Sequence, residues 1–384
     1  MSGQTRPKRL LILTSATGAG HDTHAGAAAE WCGRMYGSAV DVRIEHILED
    51  SHALCRLGVD FYNQIQRRAP WFHHLYYNLL ELPGYLDSRS VFPGEGYCAR
   101  LFREVAPDAI ISMHDCLNRG YFELARSILG SAVRCATFCA EFEGGYGFSR
   151  NWVNPRADYF FARTDEAGEA ARRLHLPADR AVVSGHWAPA AFYAPPMEEA
   201  ARTAYLTERL GLEKDRFTLL LSTGGAGAQN HADLLGALKP LGRFVQVVAL
   251  AGRQEAARVW LEDWARRQVQ FPVRVLSFTD QMPRLLQACS AVVARAGATT
   301  AGEALLSGCP VIFNTMGGIM PQEMPTWRYF QKREIGFRLS SPDGLALTVK
   351  GWMDDPASFT RLKTRMAACR DATTPEKALR LVLD

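Results

Sequence analysis

Two parallel α/β sheets in tandem, each doubly wound by helices, make up the fold this sequence predicts. Short apolar runs alternate with helix-like stretches in both halves, the pattern starts over near residue 216, and Pro189, Pro195 and Pro196 break the regularity between them. In the first half the strands fall at Leu10–Thr14, Val40–Ile44, Ala109–Ser112, Ala132–Phe138, Tyr159–Ala162 and Ala181–Ser184. In the second they fall at Phe217–Ser222, Phe244–Leu250, Val273–Phe278, Ala291–Ala294 and Pro310–Asn314. A polar, helix-like stretch from Met197 completes a linker over 187–215, so the domains run 1–186 and 216–384, the second ending in a closing helix at Pro375–Leu383. Ligands of such sheets bind beyond the carboxyl ends of the strands, and two such domains facing each other line a shared cleft with those ends.

The length of 384 residues suits two domains. Apolar residues at 47% and charged residues at 22% are ordinary globular values, which exclude a disordered chain, a collagen or a coiled coil. Lys+Arg 44 against Asp+Glu 40 leaves a net charge of +4, too small and dispersed for a nucleic-acid binder yet compatible with an anionic ligand or membrane surface. Nine cysteines show no zinc-knuckle spacing. Cys135 and Cys139 share a strand, which sets them about 13 Å apart, too far to chelate one metal, and reads as reduced core thiols. Lys8-Arg9 before Leu10–Leu13 mimics a signal peptide, but Thr14, Ser15, Gly18, Gly20 and His21 interrupt the apolar stretch. The expectation is a cytoplasmic protein. No run of 18 apolar residues occurs, so any membrane association is peripheral.

Chemistry concentrates at the strand-to-helix turns. The first strand ends in Thr17-Gly18-Ala19-Gly20-His21, with neither the dinucleotide G-x-G-x-x-G pattern nor a Walker lysine. It is a turn that lets a substrate approach the backbone, with His21 where the helix begins; histidine is the side chain best matched to proton transfer near neutral pH. His24, one helical turn on, is the weaker candidate. Thr223-Gly224-Gly225 ends a buried strand of the second half and suits phosphate or sugar, although glycines there also serve packing. The strand Ala291–Ala294 feeds Arg295-Ala296-Gly297-Ala298-Thr299-Thr300-Ala301-Gly302-Glu303, a turn whose helix start can hold a diphosphate. Glu303, about a turn and a half into that helix, can accept two hydrogen bonds from a ribose diol. Thr299 and Thr300 also suit helix capping, and Glu303 also suits a solvated early-helix acid. In the loop after the next strand, Gln322 and Glu323 can hold sugar hydroxyls.

Together these pieces resemble one family: the two-domain GT-B glycosyltransferases that include monogalactosyldiacylglycerol synthases, processive diacylglycerol glucosyltransferases and, more remotely, the lipid II N-acetylglucosaminyltransferase. Gly18-Ala19-Gly20-His21 resembles their amino-terminal Gly-Gly-Gly-His. Ala296–Ala304 resembles their nucleotide signature, Pro321-Gln322-Glu323 their Gly-Gln-Glu, and Ala251-Gly252-Arg253 their Gly-Arg. Order and spacing match over nearly the whole chain. The resemblance implies that the carboxyl-terminal domain binds a UDP-sugar, through Gly224, Gly225, Arg253, Phe278 at the uracil edge, Gly297, Ala298, Thr299 and Thr300 at the diphosphate, and Glu303 at the ribose. It implies Gln322 and Glu323 at the hexose, and an acceptor in the amino-terminal domain near Gly20 and His21. The chain departs from the family at Ala140–Tyr146, where an Asp-Phe-His and a following Trp are common, with Trp152 farther on; Pro321 and Thr326 replace a Gly and an Asn beside the Gln-Glu pair.

Between Phe61 and Tyr85, Arg67, Arg68, Trp71 and Phe72 stand among further aromatics. Rings beside a basic pair suit the interface of an anionic membrane, and the same residues at helical spacing suit packing on the sheet. The resemblance, with its lipid acceptors, favours membrane contact. The expected chemistry is inverting displacement with His21 as base, Glu141 the runner-up, and charge on the leaving UDP met by amides and the helix end. No metal or other cofactor is required by that scheme. Two further readings remain: a UDP-sugar 2-epimerase, which needs no acceptor, and a catalytically silent nucleotide-sugar-binding regulator, which the altered Glu141–Tyr146 segment keeps open. Donor sugar, acceptor identity and oligomeric state are left undecided.

Overall fold

A computed structural model of the chain describes residues 6–68, 72–81, 91, 93–222 and 230–384, with the backbone alone for 66–68. It divides into two compact units: Met1–Ala190 with Met320–Pro325 and Ala372–Asp384, and Ala191–Ile319 with Thr326–Asp371.

The first unit is built on β1 (Lys8–Thr14), β2 (Val40–His46), β3 (Ala109–Ser112), β4 (Arg134–Cys139), β5 (Tyr159–Ala162) and β6 (Ala181–Val183), all parallel, in the order β2-β1-β3-β4-β5-β6. Leu10 to Leu13 are wholly buried, as a strand covered on both faces requires; this is why β1 reads as a continuous apolar run and not as an alternation. Helix Gly20–Tyr36 follows β1, and helices Ala53–Arg68 and His73–Leu80 lie between β2 and β3.

The second unit is built on β7 (Phe217–Leu221), β8 (Val245–Leu250), β9 (Val273–Leu276), β10 (Ala291–Ala294), β11 (Val311–Asn314) and β12 (Gly336–Leu339), again all parallel. Its order, β12-β11-β10-β7-β8-β9, read from the other edge is the dinucleotide-fold order 3-2-1-4-5-6. Strand order therefore reverses between β1 and β3 in the first sheet and between β7 and β10 in the second. Ligands bind in the crevice at such a point, because there the two adjacent connections leave toward opposite faces of the sheet.

Every strand expected from the sequence forms, with ends shifted by at most two residues. The apolar pattern does not mark β12, a four-residue edge strand that is mostly half-buried or exposed and begins at Gly336. A Cβ on Gly336 would lie 2.6 Å from the Phe313 ring, which accounts for a residue that weakens a strand signal.

The segment expected as a linker, 187–215, is divided between the units. Trp187 is wholly buried, stacks on Phe138 with ring centroids 4.5 Å apart, and donates from Nε1 to Ser184 Oγ at 3.1 Å. The next carbonyl, of Ala188, accepts from Trp31 Nε1 at 2.9 Å. Farther on, Arg202 Nε donates to the Ala288 carbonyl at 2.9 Å and Leu206 is wholly buried, so this part is folded into the second unit. The terminal helix, Glu376–Leu383, was expected to close the second domain; it packs in the first, burying Ala378, Leu379, Val382 and Leu383, and its Leu381 carbonyl accepts from Arg134 Nη1 at 2.6 Å. Alternation of strand and helix locates elements but says nothing about which sheet a terminal amphipathic helix covers. Cys135 and Cys139 are both buried in β4, and all nine cysteines are free thiols.

Candidate active site

The turn after β1 is tied on every side. Glu49 Oε1 accepts from Ser15 Oγ at 2.9 Å and from the Ala16 amide at 2.7 Å. Asn63 donates to the Ala16 carbonyl and accepts from the Gly18 amide, at 3.1 and 3.2 Å. Gly18 has φ +77°, the left-handed region that favours glycine, so the turn depends on that residue type. Gly20 then opens the helix that carries His21.

His21 Nδ1 lies 2.6 Å from the Met113 carbonyl oxygen. A carbonyl only accepts, so Nδ1 carries the proton and Nε2 keeps the lone pair, the tautomer a general base needs. Burial, then the neighbouring His114, push its pKa down to about 3, against the pull of Asp115. The ring centroid stands 4.4 Å from that of His114 and 6.1 Å from that of Trp152. Trp152, which the sequence sets some way from the family's usual position, thus reaches the candidate base. His24 is buried and its Nδ1 donates to the Trp187 carbonyl at 2.6 Å.

Glu141 follows the end of β4 and is buried, as is Glu143. Gln322 and Glu323 form a short helical turn, Pro321–Glu323, within the first unit. Gln322 Nε2 donates to the Tyr62 hydroxyl at 2.7 Å, while Glu323 Oε2 accepts from the Met320 amide at 2.9 Å. That turn rests on Gly147, where a Cβ would fall 1.8 Å from the Pro321 carbonyl oxygen. Phe72 is half-buried, edge-on to Phe61 at 6.4 Å. The side chains of Arg67 and Arg68, and Trp71 entirely, lie outside the described residues. Leu54, Leu57 and Phe61 share one exposed helix face, and Leu75, Leu79 and Leu80 are exposed on the next helix. Ile65 and His73 of the same segment are buried, with the His73 ring edge-on to Tyr62 and Tyr76.

In the second unit, Gly224 and Gly225 lie outside the described residues. After β10, Gly297 is the N-cap of helix Ala298–Ser307 and brings no side-chain cap. Thr299 and Glu303 are four residues apart, hence on one helix face, with Glu303 buried. A solvated acid at position 303 is therefore excluded by its burial. Arg253, after β8, places its guanidinium 4.4 Å from the ring centroid of Phe278, after β9, and that ring is more than half exposed. An exposed ring backed by a cation is a flat surface open to a base.

Sequence reasoning missed His114, Asp115 and Asn63. A His-Asp pair directly after the strand ending at Ser112 was the available signal for the first two; Asn63, on a helix between strands, carried none.

Two Rossmann-like units, each with candidate residues beyond the carboxyl ends of its strands, define the GT-B class of fold. Residues 220–317 match the glycosyltransferase family 28 C-terminal domain. The chain is 26% identical to monogalactosyldiacylglycerol synthase 1 of Arabidopsis thaliana over 99% of its own length and 70% of that protein's. Among solved structures it is similar to Acinetobacter baumannii MurG, with a TM-score of 0.60 at 13% identity over 98% of this chain and 99% of that one. It is also similar to Anabaena HepE solved with UDP and glucose, with a TM-score of 0.54 at 13% identity over 97% and 98%. The chain thus has a GT-B fold with a segment that matches the family 28 C-terminal domain, and monogalactosyldiacylglycerol synthases are among the proteins it is similar to. Among the described residues no helix is long and apolar enough to cross a membrane.

Proposed function

We propose that this protein is an inverting glycosyltransferase that moves a hexose from a UDP-sugar to a membrane lipid, with diacylglycerol the first candidate acceptor. The observation that carries the reading is the similarity, over 99% of this chain, to a monogalactosyldiacylglycerol synthase, combined with a base-competent His21 at the switch point of the first sheet. The HepE complex with UDP and glucose supports a uridine nucleotide as donor.

In this reading the second unit holds the nucleotide. Glu303 accepts from the ribose diol, the helix start at Gly297–Thr300 meets the diphosphate, and Phe278 with Arg253 flanks the uracil. Gln322 and Glu323 orient the hexose. The first unit receives the lipid: the exposed apolar residues of helices Ala53–Arg68 and His73–Leu80 enter the headgroup boundary, and Arg67 and Arg68 meet lipid phosphate. His21 Nε2 takes the acceptor proton as its oxygen attacks the anomeric carbon and UDP departs. Negative charge growing on the leaving diphosphate is met by preorganised amides, so the scheme needs no metal.

The test is a donor and acceptor screen. Purified protein is incubated with UDP-glucose, UDP-galactose or UDP-N-acetylglucosamine and vesicles with or without diacylglycerol, and the lipids are separated by chromatography. A glycosylated diacylglycerol supports the reading. A new UDP-sugar formed without lipid identifies an epimerase, and tight UDP binding with no product identifies a silent binder.

A further inference from the structure

Gln322 has a partner that the mechanism above leaves without a role. Its Nε2 donates to the Tyr62 hydroxyl at 2.7 Å, across 260 positions of the chain but within the first unit. Tyr62 lies on helix Ala53–Arg68, where its ring stands edge-on to the buried His73 with centroids 4.8 Å apart. Gln322 belongs to the turn that rests on Gly147. Each residue is thus anchored by its own element, and both are only half-buried.

The pair leaves a defined set of hydrogen-bonding groups unused. A tyrosine hydroxyl offers one donor and an acceptor oxygen, and a primary amide offers two donors and an acceptor. With Nε2 donating to the tyrosine oxygen, the Tyr62 proton and the Gln322 Oε1 lone pairs remain. Turning the amide over would only exchange the roles, with Tyr62 donating to Oε1 and the amide N–H groups and the tyrosine oxygen left over. In either orientation one residue keeps a donor and the other an acceptor. Among the described residues the pair makes one further contact, a weak one from Gln322 Nε2 to Met320 Sδ at 3.7 Å. Neighbouring hydroxyls of a hexose, each both donor and acceptor, complement such a pair.

The Tyr62 hydroxyl also stands among the candidate acids of the first unit. Burial pushes its pKa up, opposed by the bond from Gln322 and aided by the charges of Glu323, Asp115 and Glu141, so the hydroxyl keeps its proton at neutral pH. The next residue on the helix, Asn63, bonds the Ala16 carbonyl and the Gly18 amide in the turn that leads to His21. Consecutive residues of one helix therefore hold the turn of the candidate base and the turn of the candidate sugar contact.

We propose that the Tyr62 hydroxyl binds the donor hexose jointly with Gln322, the two reading neighbouring hydroxyls of the sugar, and so helps to choose among hexoses. The proposal rests on the UDP-sugar reading and adds a specificity residue to it. A site built to hydrogen-bond a substrate hydroxyl rejects the analogue that lacks it more sharply than an apolar pocket rejects a change of shape.

Calorimetry on the full chain tests this without lipid, using UDP, UDP-glucose, UDP-galactose and singly deoxygenated forms of whichever hexose the wild type binds more tightly. Tyr62→Phe removes the hydroxyl and keeps the ring on His73. It should bind UDP within about twofold of wild type and the parent UDP-hexose about fivefold or more weakly. One deoxy donor should bind wild type correspondingly weakly and lose nothing more on Tyr62→Phe, because the hydroxyl that the tyrosine reads is already gone. A Tyr62→Phe chain that binds the parent UDP-hexose within about twofold of wild type overturns the proposal. An equal loss for the parent and every deoxy donor, which a merely structural role would give, overturns it as well. A wild type with no affinity for any UDP-sugar overturns both the donor reading and this proposal. When only the proposal fails, wild-type sugar-nucleotide binding persists, and a transferase reading that fails alone shows as such binding with no glycosylated lipid.

Discussion

Histidines buried in neutral form should make this fold sensitive to mild acid, and His24 gives the clearest measure. The residue is 1% exposed, and its Nδ1 proton is held by the Trp187 carbonyl at 2.6 Å. Burial, opposed by that hydrogen bond and aided by Arg163, lowers its pKa from 6.5 to about 4. Because the folded value lies below the unfolded one, the unfolded chain binds more protons in between. The contribution to stability is present in full above the unfolded value and is lost as pH falls through the folded one. The whole effect is about 3 kcal/mol, of which about 2 kcal/mol is gone by about pH 5. His24→Asn places an amide nitrogen near Nδ1, keeps the donor to Trp187 and removes the titration. It also loses ring contact with Phe138, whose centroid is 5.1 Å away, so the variant should be weaker by roughly 1–2 kcal/mol at about pH 7.5. Urea unfolding followed by tryptophan fluorescence, for both proteins at about pH 7.5 and about pH 5, gives the double difference. His21, His186 and His231 are also lowered and are common to both proteins, so what differs there is only the smaller effect that His24 exerts on His21 and His186. The gap between wild type and variant should close by about 2 kcal/mol on acidification. A gap that stays constant refutes the assignment of His24 as a neutral buried group.

Glu303→Ala should weaken UDP binding about tenfold or more, since hydrogen bonds to a charged group are lost from a buried position; calorimetry that shows unchanged affinity removes the ribose role. His21→Ala should abolish most turnover while UDP affinity stays within about twofold, and Glu141→Gln should retain more activity; the reverse order, read by product formation, transfers the base to Glu141. Leu57→Asp with Phe61→Asp changes two exposed positions, so thermal unfolding should move little while co-sedimentation with anionic vesicles falls several-fold. Gly147→Ala should destabilise the first unit by about 3 kcal/mol or more. Its φ is +96°, and the new Cβ would meet the Pro321 carbonyl oxygen, so a thermal midpoint close to wild type would show that the Pro321–Glu323 turn is not seated there.

What the sequence made legible was set by burial on both faces. Leu10–Leu13 of β1, most of β7 and all of β10 are buried, mainly apolar runs, and such runs stand out against any helical background. β12, at an edge and partly exposed, has no such contrast and was missed. Turn glycines were legible for a related reason, because Gly18 occupies a backbone region other residues avoid and so marks its turn in the sequence itself. Side-chain partnerships were not legible, since they depend on strand order, which composition does not encode. β1 and β3 are separated by several helices and by β2, yet they are neighbours in the sheet. Only that pairing brings Met113 to His21 and His114 to Thr17. A candidate base was therefore visible as a residue, while the groups that fix its tautomer and stand beside it became visible only once the order of strands was known. The same reasoning explains the Pro321–Glu323 turn: its motif named the residues, but its support by Gly147 and Tyr62 arises from segments more than 170 residues away that no local pattern links to it.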